Sequence, residues 1–116
     1  MERSPAESRS ELVPGTLEML ILSTLIRGPM HGYGIARRIE DSSGRELRIE
    51  EGSLYPALQR ILRKGWVTAE WAVTENKREA RYYRLTRSGR KQLGLEVDEF
   101  RRVTSAIERT LRPAEG

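Results

Sequence analysis

Apolar positions along the chain fall first into a helical period and later into an alternating one. Leu17, Leu20, Ile21 and Leu25 recur at three- and four-residue spacing, and Leu22 and Ile26 widen that stripe. The pattern predicts a helix buried on more than one side, capped by Thr16 and stopped at Gly28-Pro29. A second, short helix is predicted from Gly34 to Ser42, with Tyr33, Ile35, Ala36 and Ile39 as apolar positions and Ser43-Gly44 as terminator. Leu47 and Ile49 mark a brief extended stretch. A third helix follows, with Ser53 as N-cap, Leu54, Leu58, Ile61 and Leu62 as its buried stripe, and Gly65 just past its end.

Beyond Gly65 the period changes to alternation through Trp66, Val67, Trp71 and Val73, then breaks at the polar cluster Thr74 to Glu79. A second extended run, Ala80 to Leu85, completes a predicted β-hairpin with a charged tip. Trp66 and Trp71 read as core or hairpin-packing residues in preference to base-stacking platforms, and Tyr82 and Tyr83 point to opposite faces, one inward and one outward. The last helix starts at Thr86 or Ser88 and runs to about Leu111, ahead of Pro113. Three short helices followed by a hairpin give the order of a winged helix, in which the second and third helices form a helix-turn-helix. The predicted fold class is therefore mostly α with a small β-hairpin: a winged helix-turn-helix plus a long C-terminal dimerisation helix. Residues 1–13 read as a polar, flexible arm, 14–86 as the winged helix, 87–112 as the extra helix and 113–116 as a tail.

With 116 residues the chain is the size of one domain, and 37% hydrophobic residues leave little material for a core, so a partner subunit would help. There is no cysteine, which excludes disulfides, thiolate metal sites and a cysteine nucleophile. No apolar run approaches the roughly 20 residues of a membrane span, and the start lacks a signal-peptide core, so a soluble, cytoplasmic protein with no membrane association is expected. The net charge of +4 is unevenly spread. From Arg60 to Lys91 ten basic residues face three acidic ones, and the rest of the chain is net negative. A polyanion partner and a merely solvated charged face are both consistent with such a run.

Position on the third helix separates these readings. Its polar face carries Ser53, Pro56, Gln59, Arg60 and Arg63, with Tyr55 at the boundary, open to core packing or to phosphate contact. Gln and Arg are residue types that make paired hydrogen bonds to base edges, and flanking cations hold phosphates. The hairpin tip, Asn76, Lys77 and Arg78, together with Arg81, is suited to the DNA backbone or a narrow minor groove. In the last helix Leu93, Val97, Phe100, Thr104, Ile107 and Leu111 are spaced 4, 3, 4, 3 and 4 apart, a heptad seam. Such a seam buries against a second copy, against the chain's own first helix, or against both.

Candidate chemistry is sparse. His31 is the single histidine and reads as a helix-start residue bonding locally. Gly32 and Gly34 lack the spacing of a phosphate-binding loop and read as close-packing positions. Asp41 and Asp98, the two aspartates, are far apart, while Glu50 and Glu51 suit a helix N-terminus. No catalytic constellation, metal cluster or cofactor motif can be assembled.

Three blocks, His31-Gly32-Tyr33-Gly34, Gly52-Ser53-Leu54-Tyr55-Pro56 and Tyr82-Tyr83-Arg84-Leu85-Thr86, stand in the order and spacing of the PadR family of transcriptional regulators, which the chain resembles from Thr16 to about Leu93. The resemblance implies a homodimeric regulator, typically a repressor of a neighbouring gene, that binds an inverted-repeat operator in double-stranded DNA and dimerises through its C-terminal helix. It implies the short subfamily, with one such helix. It also implies that a small aromatic or hydrophobic ligand relieves DNA binding in some members; Phe100 stands where some carry tryptophan. A winged helix that binds only proteins, and an enzyme, are the alternatives from other classes.

Overall fold

The computed structural model describes residues 12 and 15–113, so the arm expected over 1–13 lies almost wholly outside the described residues. Helix α1 spans Thr16–Thr24 and is continued by a 3-10 turn, Leu25–Arg27. It begins from Gly15 in left-handed backbone and has no side-chain cap, so Thr16 is the first helical residue and not the cap expected of it. Ile21, Leu22 and Leu25 are buried, while Leu20 packs partly against the core. The apolar stripe thus places α1 at the centre of the domain, but Ile26, expected to widen it, is 49% exposed on the 3-10 turn.

Met30–His31 forms a two-residue strand, β1, and α2 (Gly32–Ser42) follows without a break. The His31 side chain caps α2: the Gly34 N–H donates to Nδ1 at 3.0 Å, satisfying one of the free donors of the first turn. A Cβ on Gly32 would lie 3.1 Å from the Tyr55 ring, so the missing side chain lets α2 close on α3.

Helix α3 spans Glu51–Arg63 and is capped at Glu50, not at Ser53. The Ser53 and Leu54 N–H groups both donate to the Glu50 carbonyl, at 3.0 and 2.9 Å. Ser53 is therefore an exposed first-turn residue, and acidic Glu51 occupies the position where the helix dipole favours it. Leu54, Ala57, Leu58 and Ile61 are buried, and Leu62 is half-buried.

Strands β2 (Val67–Val73) and β3 (Glu79–Leu85) pair antiparallel from Val67↔Leu85 to Val73↔Glu79. The expected hairpin is one part of a three-stranded sheet of order β1-β3-β2, because Met30 and His31 pair with Tyr83 and Tyr82. Val67 and Tyr83 enter the core. Trp71 lies on the same face as these two but beyond the end of the core, and it is 68% exposed, contrary to the packing role expected of it. Trp66 is half-buried, with the Lys64 ammonium 4.6 Å from its ring centroid.

Helix α4 spans Arg87–Leu111 and is capped by Thr86, whose hydroxyl accepts from the Gly89 N–H at 3.0 Å and donates to the Gly65 carbonyl at 2.8 Å. A Cβ on Gly89 would stand 2.0 Å from the Trp66 carbonyl oxygen, so α4 leaves the hairpin pressed against the α3–β2 turn. From there it runs past α1 and extends the molecule to 61 × 37 × 21 Å.

Candidate nucleic-acid interface

Burial divides the polar face of α3 into three sectors. Gln59 and Arg63 are exposed at its middle, opposite Leu54, Leu58 and Ile61. On one flank, Ser53, Pro56, Arg60 and Lys64 border the start of α1, lining a cleft of about 680 Å³ with Gly15 and Glu18. Arg60 does not stand clear of the protein there, because its Nε donates to Glu18 Oε1 at 2.5 Å. On the other flank Tyr55 is half-exposed, in contact range of Gly32 and close to Tyr83. Burial pushes the Tyr83 phenol above its ordinary pKa, Arg81 draws it back and Tyr55 adds to the rise, so it remains a neutral hydrogen-bonding group.

The Tyr83 ring leads outward along the hairpin. Arg81 places its guanidinium 6.0 Å from the ring centroid, and its cross-strand partner is Trp71. The tip turns tightly: the Lys77 N–H donates to the Thr74 carbonyl at 2.9 Å, and the Thr74 N–H to the Arg78 carbonyl at 2.7 Å. Lys77 sits in left-handed backbone at φ 58°, as the last residue of a short hairpin loop can. Asn76, Lys77 and Arg78 are all exposed at the tip, whereas Arg81 is half-buried on the strand.

The structure departs from the sequence reading at several residues, beginning with Tyr33, expected among the apolar positions of the second helix and 65% exposed. It stands at the start of α2, and Arg37 one turn later reaches its hydroxyl at 3.3 Å. Glu18 is buried between α1 and α3; its one signal in the sequence is a lone charge within the apolar run Leu17 to Leu22. Trp71, expected in the core or packed on the hairpin, is exposed as well.

The row on α4 is also divided. Leu93 is 5% exposed and belongs to the protomer's own core, and Val97 packs against that core. Thr104 is half-buried. Phe100, Ile107 and Leu111 are exposed, and Val103, absent from the expected row, joins them. Phe100 also closes a groove with Met19 of α1 and Leu95. Among the described residues there is no cluster of metal-ligating side chains, and no helix is long and apolar enough to cross a membrane.

A long terminal helix on a winged helix with a basic hairpin is an arrangement with known counterparts. The model of the Transcriptional regulator PadR-like family matches residues 21–95. A transcriptional regulator from Clostridium thermocellum superposes with a TM-score of 0.80 at 28% identity, covering 89% of this chain and all of that one. The Negative transcriptional regulator PadR of Bacillus subtilis is 29% identical over 77 residues, which are 66% of this chain and 42% of the relative. The structure of Bacillus subtilis PadR in complex with operator DNA superposes with a TM-score of 0.63 at 27% identity, over 71% of this chain and 46% of that one. The chain thus spans less than half of the Bacillus subtilis protein, whereas it spans the whole of the Clostridium one. With the family match extending from the middle of α1 into α4, the chain belongs to the PadR-like family and is a winged-helix transcriptional regulator.

Proposed function

We propose that this protein is a homodimeric, sequence-specific DNA-binding repressor of a gene near its own, acting on an inverted-repeat operator. One observation carries the reading: the exposed polar face of α3 and the basic hairpin tip belong to one small domain whose remaining long helix bears an exposed apolar row. In this reading α3 enters the major groove, Gln59, Arg60 and Arg63 read base edges, and Ser53, Tyr55 and Pro56 lie along the groove walls. Asn76, Lys77, Arg78 and Arg81 follow the backbone or enter the minor groove. The solved Bacillus subtilis relative, bound to operator DNA, supports this assignment.

Two copies then join through α4, by Phe100, Ile107 and Leu111 with Thr104 beside them, while Leu93 and Val97 anchor the helix to its own domain. Residues 14–86 serve as the DNA-binding unit, 87–112 as the dimer helix and 113–116 as a tail, all within the cytoplasm. A small aromatic or hydrophobic ligand relieves repression. The test measures binding to the DNA upstream of the gene by fluorescence anisotropy, at two salt concentrations and against random DNA. Specific binding that weakens with salt is expected, since each phosphate contact releases counterions. Equal binding to both DNAs would refute operator recognition, and no binding at low salt would leave a protein-interaction module.

A further inference from the structure

Glu18 is the one charged side chain buried among the described residues, 6% exposed, in a helix whose neighbours Leu17, Met19, Ile21 and Leu22 are core residues. A carboxylate in that position is strongly destabilising unless it is paired. Both of its partners come from α3: Arg60 Nε at 2.5 Å from Oε1 and Lys64 Nζ at 3.8 Å from Oε2. Lys64 is further held over the Trp66 ring. Arg60 is different, because its side chain remains 45% exposed. Its guanidinium is gripped by the inner nitrogen alone, and among the described residues neither Nη atom makes a hydrogen bond. The Nη groups are donors suited to forked contacts with guanine or with a phosphate.

We propose that Glu18 is a positioning residue of the DNA interface, holding Arg60 by Nε so that its Nη groups face the DNA; this rests on the DNA-binding reading of α3. An arginine left loose loses rotamer freedom when it binds, whereas one already held has given up that freedom on folding. Helix α1 also packs on α4, so the aim of Arg60 is set relative to the frame of the proposed dimer. Glu18 touches no DNA in this arrangement. It acts through Arg60.

The test compares operator and random DNA for Arg60→Lys, Glu18→Leu, Glu18→Gln and the double variant Glu18→Leu/Arg60→Lys, each first shown to be folded and dimeric. Arg60→Lys keeps the charge but has no Nε, so operator preference should fall roughly tenfold while affinity for random DNA holds. Glu18→Leu should lose preference to the same extent, and the double variant should lose no more, since both changes break one coupled unit. Glu18→Gln, whose amide oxygen still accepts from Nε, should retain most of it. Unchanged preference in Arg60→Lys or in folded Glu18→Leu, or losses that add in the double variant, would overturn the proposal. If Glu18→Leu fails to fold, Glu18→Met, which keeps the length of the side chain without an acceptor for Nε, takes its place, and unchanged preference there overturns the proposal equally. A wild-type protein without operator preference would instead overturn the DNA-binding reading, and this inference with it.

Discussion

Replacing Phe100 by glutamate strikes the proposed dimer where α4 leaves its own domain. Phe100, Val103, Ile107 and Leu111 are 47%, 42%, 51% and 75% exposed, so each would bring roughly half of its side chain or more to an interface. Complete burial of such a side chain is worth about 2 kcal/mol, hence about 1 kcal/mol for each here and about 8 kcal/mol over two copies of the row. That is of the order of the cost of association, about 4 to 15 kcal/mol, so the dimer has little to spare. Phe100→Glu removes about 2 kcal/mol of that burial from the pair and desolvates two carboxylates without partners, a further penalty of at least several kcal/mol. The dimer dissociation constant should rise by about a thousandfold or more. Sedimentation velocity would then show a monomer at micromolar concentration, while circular dichroism retains most of the helix, because Leu93 and Val97 still tie α4 to the core. Operator affinity should fall steeply, since two recognition helices must be held about 34 Å apart to enter successive major grooves. A Phe100→Leu control should stay dimeric. A Phe100→Glu protein that remains a dimer, or a monomer that binds operator as tightly as before, refutes the arrangement.

Other outcomes are open to similar measurement. Gln59→Ala should lower discrimination among operator variants by about 1 to 3 kcal/mol in an anisotropy titration; an equal loss on random DNA would remove Gln59 from base reading. Lys77→Gly retains a residue suited to the left-handed turn position while deleting the charge. It should therefore leave the hairpin intact and flatten the salt dependence by about one unit in log–log slope if Lys77 meets a phosphate. A slope equal to that of the wild type would take this residue out of the interface. Gly89→Ala forces a methyl group into the Trp66 carbonyl, and urea denaturation should show a loss of about 3 kcal/mol or more, beyond ordinary overpacking. Stability within about 0.5 kcal/mol of wild type would contradict the close approach of α4 to this turn.

Periodicity along the chain was enough to identify the elements that depend on neighbours three or four residues away. The stripe Leu54, Leu58 and Ile61 placed a helix with its polar face outward, and the change to alternation after Gly65 placed the hairpin. His31 as a helix-start residue and Thr86 as a candidate start of the last helix were legible for the same reason, since a cap bonds within its own turn. The start of α3 was less so. Glu50 and Ser53 are both compatible with a helix beginning there, and what separates them is a backbone carbonyl that two N–H groups share.

Contacts across long sequence separations were decided by the fold. Met30 and His31 are too short a run to carry a strand period, and they become one only because β3, some fifty residues later, offers an unpaired edge. The heptad on α4 reads identically whether its residues face α1 or a second copy, and packing alone assigns Leu93 inward while leaving Phe100 outside. Trp71 follows the strand alternation faithfully and still ends in solvent, since alternation selects a face and the extent of the core selects how much of that face is covered. Arg60 and Glu18 lie 42 positions apart. The helical period of α3 could show that Arg60 leaves its apolar side, but only the crossing of α1 over α3 brings a buried carboxylate to its Nε, because no local period encodes which helix will lie beside another.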